Sequence, residues 1–296
     1  MLPTHVALTT DGAPIDVSQL TRVAAALSKQ VLRDFGPIWT VNATVDAFLK
    51  LEDMPVDYWP IIVQTDVQGA LGYHEDESGQ PFAVVEFAPD WSLTASHECL
   101  EMLADPYGRR LRAGSVPEQA VAAGVKSGRV EFLVEVCDPS EDGRYGYQVN
   151  GFTVSDFYTP HYFDPVKSTG ARYSFTGAIA TPRQVLSGGY LSWRNPVDNH
   201  WLQLRMFPDN FSRKMPHVVD LTAETVFAKI ATRTNLRAAV DRVTPRPEIA
   251  RSLRRGRPLT ARPANGTRAA QEARAAALRA QISRLKHDDQ TGRPGR

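Results

Sequence analysis

The segment S-H-E-C-L-E-M-L-A-D-P, residues 96–106, carries residue types and spacings that suit metal chemistry. His97 and Glu101 are four positions apart, so on a helix they lie on the same face. An imidazole nitrogen and a carboxylate oxygen both bind zinc at about 2.0–2.2 Å, so the two side chains can share one ion. Glu98 lies about 100° around the helix and can reach a water held by that ion. The segment therefore predicts a metal site with His97 and Glu101 as ligands and Glu98 as general base.

A catalytic zinc ion takes three protein ligands and keeps one position open, so a third ligand must come from elsewhere in the chain. The segment V-E-F-L-V-E-V-C-D-P, residues 130–139, has the pattern of a strand and offers Glu135 and Asp138. Alternation along a strand aims Glu135 to the same side as Glu131, which favours Glu135 as the ligand. Asp138 is one alternative, and Asp105 is another that better suits capping a turn or orienting a ligand.

A hydrolytic site also needs a donor for the oxyanion that forms when water attacks a carbonyl group. The segment 155–165 contains Tyr158 and His161, and a phenol or imidazolium from it could fill that role. His161 or Cys137 could instead act as a fourth ligand, which would close the coordination shell and favour a structural ion. Cys99 lies on the helix face opposite the ligands and is expected to pack in the core.

These motifs resemble the gluzincin branch of the zincins, the zinc peptidases in which a helical H-E motif is completed by a downstream glutamate. They also resemble proteins of unassigned activity in which H-E-x-x-E-x-x-x-D-P is followed by E-x-x-D. The resemblance covers residues 60–165. It implies a peptidase whose ion is held by His97, Glu101 and Glu135, with Glu98 as the base. The matching residues are His97, Glu98, Glu101, Asp105, Pro106, Glu135 and Asp138.

One position departs from the usual zincin pattern, because Glu101 stands where the helix motif normally has a second histidine. Two carboxylates and one imidazole make the ion less electrophilic, so its water is harder to ionise. The same ligands weaken the preference for zinc over manganese or iron. We expect one Zn²⁺ per chain, with another divalent metal as the alternative.

The elements that must position these residues predict an α+β fold, and the resemblance to zincins implies a zincin-like mixed sheet with an active-site helix. The segment before that helix, P-F-A-V-V-E-F-A, is expected to be an edge strand that aligns an extended peptide substrate. The polar run around His74 is expected to be a solvated loop, and Gly36-Pro37 is expected to end the first helix. The predicted strands are 5–10, 40–49, 60–65, 81–88 and 130–139, and the predicted helices are 16–35, 92–104 and 222–243.

The C-terminal residues differ in charge from the rest of the chain. The whole chain has 34 Lys+Arg and 33 Asp+Glu; residues 246–296 hold 13 and 4 of these, which gives +9, and the remaining 21 and 29 give −8. We expect residues 1–244 to form the zincin-like domain and 245–296 to form a basic, largely disordered tail, with a short helix at 267–286. The arginine-rich run 251–257 suits an acidic partner or a nucleic acid.

The composition argues against a membrane, secreted or disulfide-rich protein. No run approaches the roughly 18 apolar residues of a membrane helix, and the N-terminus lacks the basic start and apolar stretch of a secretory signal. We therefore expect a cytoplasmic protein without a membrane partner. Two cysteines are too few for a disulfide framework.

The metal motif, together with its resemblance to zincins, predicts a zinc-dependent hydrolase of peptides or proteins. The alternative is a non-catalytic binding or assembly protein with a structural or absent metal, acting through its basic tail.

Overall fold

Helices and β-sheets both contribute to the fold, which confirms the expected α+β class. The first part of the chain builds a mixed sheet with helices packed on it, and the later part builds an antiparallel sheet. Within the described chain, no helix is long and apolar enough to cross a membrane. The structure, a computed structural model, describes residues 3–67, 71–208, 212, 214–222, 240, 244, 272, 275–276, 278–280 and 282–283.

The mixed sheet consists of β1 (Thr4–Thr10), β2 (Ala43–Phe48), β3 (Trp59–Gln64), β4 (Gly72–Glu77) and β5 (Gln80–Glu86). The strands lie in the order β2-β1-β3-β5-β4, and β4 alone in this order runs antiparallel to its neighbour. β5 pairs on both sides, so the prediction that this strand lies at the edge is wrong. The prediction of a solvated loop around His74 is also wrong, because this run forms β4. Ser78 and Gly79 both have positive φ, as a two-residue hairpin turn requires, and this turn folds β4 onto β5.

The first helix, α1 (Val17–Lys29), connects β1 to β2 and begins at the expected cap. The carboxylate of Asp16 accepts a hydrogen bond from a backbone N–H of the first turn, at 2.8 Å. The chain then continues without a break through a π-helical turn (Gln30–Phe35) into the short helix α2 (Gly36–Trp39). The expected stop at Gly36-Pro37 is therefore wrong. Pro37 follows the π-helical turn, where the regular hydrogen-bond pattern of an α-helix is already interrupted.

The helix that carries the candidate ligands, α3 (Trp91–Ala104), follows β5 after a short turn. Twelve of its fourteen residues are buried, so its polar side chains are held inside the protein. Ser96 ties the helix to its surroundings, because its hydroxyl donates to Gln30 at 2.8 Å and accepts from the backbone N–H of Ser155 at 2.9 Å. Cys99 is fully buried, as expected for a core residue.

The antiparallel sheet brings a second set of acidic residues towards α3. Its strand β7 (Arg129–Leu133) is short, and the chain then leaves the sheet and forms a 3₁₀ turn at Asp138–Ser140. The prediction of one strand over 130–139 is therefore wrong in its second half. The remaining elements are β6 (Leu111–Ser115), α4 (Glu118–Ala122), β7 (Arg129–Leu133), β8 (Tyr147–Val149), β9 (Phe152–Val154), β10 (Tyr190–Arg194), β11 (Trp201–Arg205) and β12 (His217–Asp220). The sheet has the order β12-β11-β10-β7-β6, and β8 and β9 form a separate ribbon.

Both faces of the mixed sheet are covered. One face packs against α1 and α3 through residues such as Val6 and Leu8. The opposite face, which includes Phe82, packs against Leu278 and Ile282 of the tail. The described residues around these two positions are helical, within the stretch where the sequence predicts a helix. This part of the tail therefore belongs to the core of the described protein.

Charged groups reinforce the contact between tail and body. The Arg279 guanidinium lies 3.1 Å from Asp11 and 2.8 Å from Glu52, which both lie on the acidic body. The predicted helix at 222–243 falls outside the described residues, apart from Thr222 and Val240. The arginine-rich run 251–257 lies outside them entirely.

Candidate metal centre

Helix α3 presents His97 and Glu101 side by side, as their four-residue spacing requires. Nε2 of His97 lies 3.1 Å from Oε2 of Glu101. The imidazole side chain is 9% exposed and the Glu101 side chain is fully buried. Glu98 is also fully buried, but its carboxylate faces a different neighbour, His74. The three residues singled out on the helix therefore all lie inside the protein, in two adjoining groups.

The turn that follows β7 supplies carboxylates that face the helix. Oδ1 of Asp138 lies 3.3 Å from Nε2 of His97. The ligand atoms of Glu101, Glu135 and Asp138 all lie within 4.8 Å of one another. The backbone N–H of Cys137 donates to Oε1 of Glu101 at 3.0 Å, which holds the turn against the helix. Asp138 therefore reaches His97, and Glu135 reaches Glu101 and Asp138, through a turn rather than through the alternation of a strand.

These donors fit a divalent cation by distance and by chemistry. Ligand atoms around a tetrahedral zinc ion with bonds of about 2.0–2.1 Å are about 3.3 Å apart. The separations from His97 Nε2 to Glu101 and to Asp138 are 3.1 and 3.3 Å, so they match this spacing. An imidazole with carboxylates suits zinc, manganese or iron. These residues could therefore hold a divalent metal ion.

The surroundings of His97 and Asp138 raise the pKa of both groups, so each releases its proton at a higher pH than usual. Burial by itself would lower the pKa of His97, but Glu101 and Asp138 outweigh it and raise this pKa well above its usual value. Burial and the like charge of Glu101 raise the pKa of Asp138 well above its usual value, and His97 only partly opposes them. A cation must displace these protons, so its binding should strengthen as pH rises.

Cys137 brings a thiol to the same place. Its sulfur lies within 4.8 Å of ligand atoms of His97 and Glu101. Burial, with the negative charge of Glu101, raises the pKa of this thiol well above its usual value. A neutral thiol is a poor ligand until its proton is removed, so the carboxylates are the better donors at neutral pH.

The second group on α3 pairs Glu98 with His74 of β4. His74 is fully buried, and its Nδ1 lies 3.5 Å from Oε2 of Glu98. The ligand atoms of His74, Glu98 and Glu101 also lie within 4.8 Å of one another. Sequence reasoning missed His74 because the polar run around it resembles a loop. The Ser78-Gly79 pair between two strand-length runs was the available signal for a hairpin.

Two residues proposed as oxyanion donors have different surroundings. Tyr158 is fully buried, and its hydroxyl makes no hydrogen bond among the described residues. Burial raises the pKa of Tyr158 well above its usual value, and the charges of Glu101 and Asp138 add to this rise. The His161 side chain is 60% exposed and pairs with Asp164 at 2.9 Å. The structure thus brings Tyr158 within electrostatic reach of the buried carboxylates and leaves His161 at the surface.

Asp105 stabilises the turn that ends α3. Its Oδ2 accepts a hydrogen bond from the backbone N–H of Arg110 at 2.6 Å. The Arg110 guanidinium in turn donates to the carbonyl oxygen of Ala104 at 2.8 Å. Asp105 therefore acts as a turn-forming residue, the role that the sequence favoured for it.

Comparisons with protein-family models, with curated proteins and with solved structures found no match for this chain. The function must therefore be inferred from the chemistry of the residues themselves. His97, Glu101 and Asp138, with Glu135 beside them, form a buried donor set that suits a divalent cation.

Proposed function

We propose that this protein is a divalent-metal-dependent hydrolase, with zinc as the ion and a peptide bond as the substrate. The observation that carries the proposal is the placement of His97 Nε2, 3.1 Å from Glu101 and 3.3 Å from Asp138, because these separations suit ligands of one ion. Glu135 has a carboxylate oxygen within 4.8 Å of ligand atoms of Glu101 and Asp138. The resemblance of the H-E-x-x-E helix to zincins supports hydrolysis and favours peptides.

The residues around the donor set have distinct roles in this proposal. When bound, the cation polarises a carbonyl group and increases the acidity of water. Glu98 accepts the proton of the attacking water and passes it to the leaving amine. Tyr158 donates its hydroxyl to the developing oxyanion, a role that suits a buried hydroxyl with no hydrogen bond among the described residues.

A peptide substrate would be aligned by β4 rather than by β5. β5 is hydrogen-bonded to β3 and to β4, so its backbone cannot pair with another chain. β4 is the outermost strand of the described sheet, and it carries His74 next to Glu98. An extended backbone that added to β4 would lie close to the proposed base.

Metal content and peptide cleavage test this proposal together. The wild-type protein, expressed with zinc and purified without chelators, should contain stoichiometric metal by elemental analysis. His97→Ala should lose this metal, whereas the control His161→Ala should keep it, because His161 is exposed and pairs with Asp164. Cleavage of a peptide library should require the metal and should be abolished in Glu98→Gln. Wild-type protein without metal, or full cleavage by Glu98→Gln, would contradict the proposal.

A second candidate function is a binding or assembly protein whose ion is structural. Two observations favour it: the donor set is buried, with the His97 side chain only 9% exposed, and the Cys137 sulfur lies close enough to complete a closed shell. In this case the basic tail would carry the binding function. Cobalt substitution distinguishes the two, because a thiolate ligand gives a strong charge-transfer absorption that a site of imidazole and carboxylates lacks.

A further inference from the structure

His74 is a buried histidine whose ring makes no hydrogen bond among the described residues. Its side chain is fully buried, and neither ring nitrogen makes a hydrogen bond among the described residues. Burying a polar group without a hydrogen bond destabilises the folded state, so such a group in a native structure needs an explanation. Oε2 of Glu98 lies 3.5 Å from Nδ1 of the ring. The ring therefore faces a carboxylate but is not satisfied by it.

The backbone of β4 is shaped to bring this histidine close to α3. A methyl group at Gly72 would lie 2.7 Å from the side chain of Thr94 and 2.8 Å from Oε1 of Glu98. Only glycine leaves room for this approach, because real Cβ atoms essentially never lie so close to another atom. Gly72 and His74 both lie on β4, two positions apart, and both approach the Glu98 carboxylate.

We propose that His74, Glu98 and Glu101 hold a second divalent cation, next to the ion of the proposed function. The ligand atoms of the three residues lie within 4.8 Å of one another, and the unsatisfied ring nitrogens of His74 are aimed into this group. Glu101 belongs to this group and also to the group that contains His97, so its carboxylate lies between the two positions. A bound cation would satisfy the imidazole, which makes no hydrogen bond among the described residues.

The chemistry of this second group matches that of the first. One imidazole and two carboxylates suit zinc, manganese or iron. Paired ions about 3.5–4 Å apart are a common arrangement in metal-dependent hydrolases, where they share a bridging group. This inference rests on the proposed metal site. It changes the role of Glu98 from general base to metal ligand.

Metal stoichiometry of the full chain tests the inference. After loading with zinc or manganese and removal of unbound metal, the wild-type protein should hold about two ions per chain. His74→Gln and Glu98→Gln should each hold about one. The control is His5→Gln, since His5 lies on β1 of the same sheet and its ring bonds Thr44 instead of a carboxylate.

The possible outcomes separate this inference from the proposed function. One ion in wild type, kept in His74→Gln, would overturn the second site and leave the first intact. Two ions in both proteins would place the second ion elsewhere and also overturn the inference. No ion in wild type would refute both. Because His74→Gln could unfold, electron paramagnetic resonance of manganese-loaded wild type gives an independent measurement: a spin-coupled pair is expected, and a spectrum of isolated ions only would contradict the second site.

Discussion

Replacing Glu101 with glutamine should remove the stabilisation that a metal gives to this protein while leaving the fold in place. Glu101 belongs to all three groups of potential ligands, so no other residue affects the site as broadly. Its Oε1 accepts the backbone N–H of Cys137 at 3.0 Å, and a glutamine oxygen can keep that hydrogen bond. The change therefore removes the charge and one ligand atom with little loss of packing.

The size of the effect follows from the linkage between binding and folding. At free zinc of about 100 times the dissociation constant, binding adds about 2.7 kcal/mol to the free energy of unfolding of the wild-type protein. Loss of residues that merely support a ligand weakens metal binding by about 10–100-fold, and loss of a ligand should weaken it by at least the larger factor. The same zinc concentration would then add only about 0.4 kcal/mol to Glu101→Gln. In a protein of this size, that is the difference between a rise in Tm of about 5–11 °C and one of about 1–2 °C.

The assay is thermal unfolding, followed by circular dichroism, of chelator-treated protein with and without zinc. Glu131→Gln is the matched control, because Glu131 lies on β7, pairs with Arg194 at 2.7 Å and belongs to none of the ligand groups. This control should gain as much stability from zinc as the wild type. If Glu101→Gln gains as much as wild type, the ion binds elsewhere. If wild type gains nothing, the protein has no such site.

Three further predictions concern the metal-free protein and the packing around the site. The pKa values of His97 and Asp138 are both raised, so the folded state keeps protons that the unfolded chain releases. The free energy of unfolding in chelator should therefore fall as pH rises above about 4 for Asp138 and above about 6.5 for His97. Urea unfolding at pH 5, 7 and 9 would measure this change. A rise in stability over this range would contradict the raised pKa values. Leu278→Ala, at a position 6% exposed in the packed tail, should lose about 2–5 kcal/mol in the same assay, whereas the exposed control Ser283→Ala should not change. Gly72→Ala should cost about 1–3 kcal/mol and reduce metal content, because the new methyl group collides with Thr94 and with the carboxylate beside it; unchanged stability and metal content would show that the helix is free to shift.

The sequence alone was sufficient for features that depend on neighbours within a few positions. Local periodicity predicted β1, α1, β2, β3, β5 and the helix α3 that carries the candidate ligands, but not β4. The contact between His97 and Glu101 follows directly from their four-residue spacing. Leu278 and Ile282 are buried and lie within the stretch 267–286, where the sequence predicts a helix.

Only the tertiary structure decided which distant residues meet this helix. Asp138 reaches His97 because β7 ends early and the chain turns, and no local pattern marks that end. His74 lies against Glu98 because the hairpin of β4 and β5 places the polar strand outermost, under α3. Hydrophobic periodicity reports which face of an element is buried, but not which other element covers it. Contacts between residues far apart in the chain depend on the order of strands in the sheet, and that order is set by the packing of the whole domain.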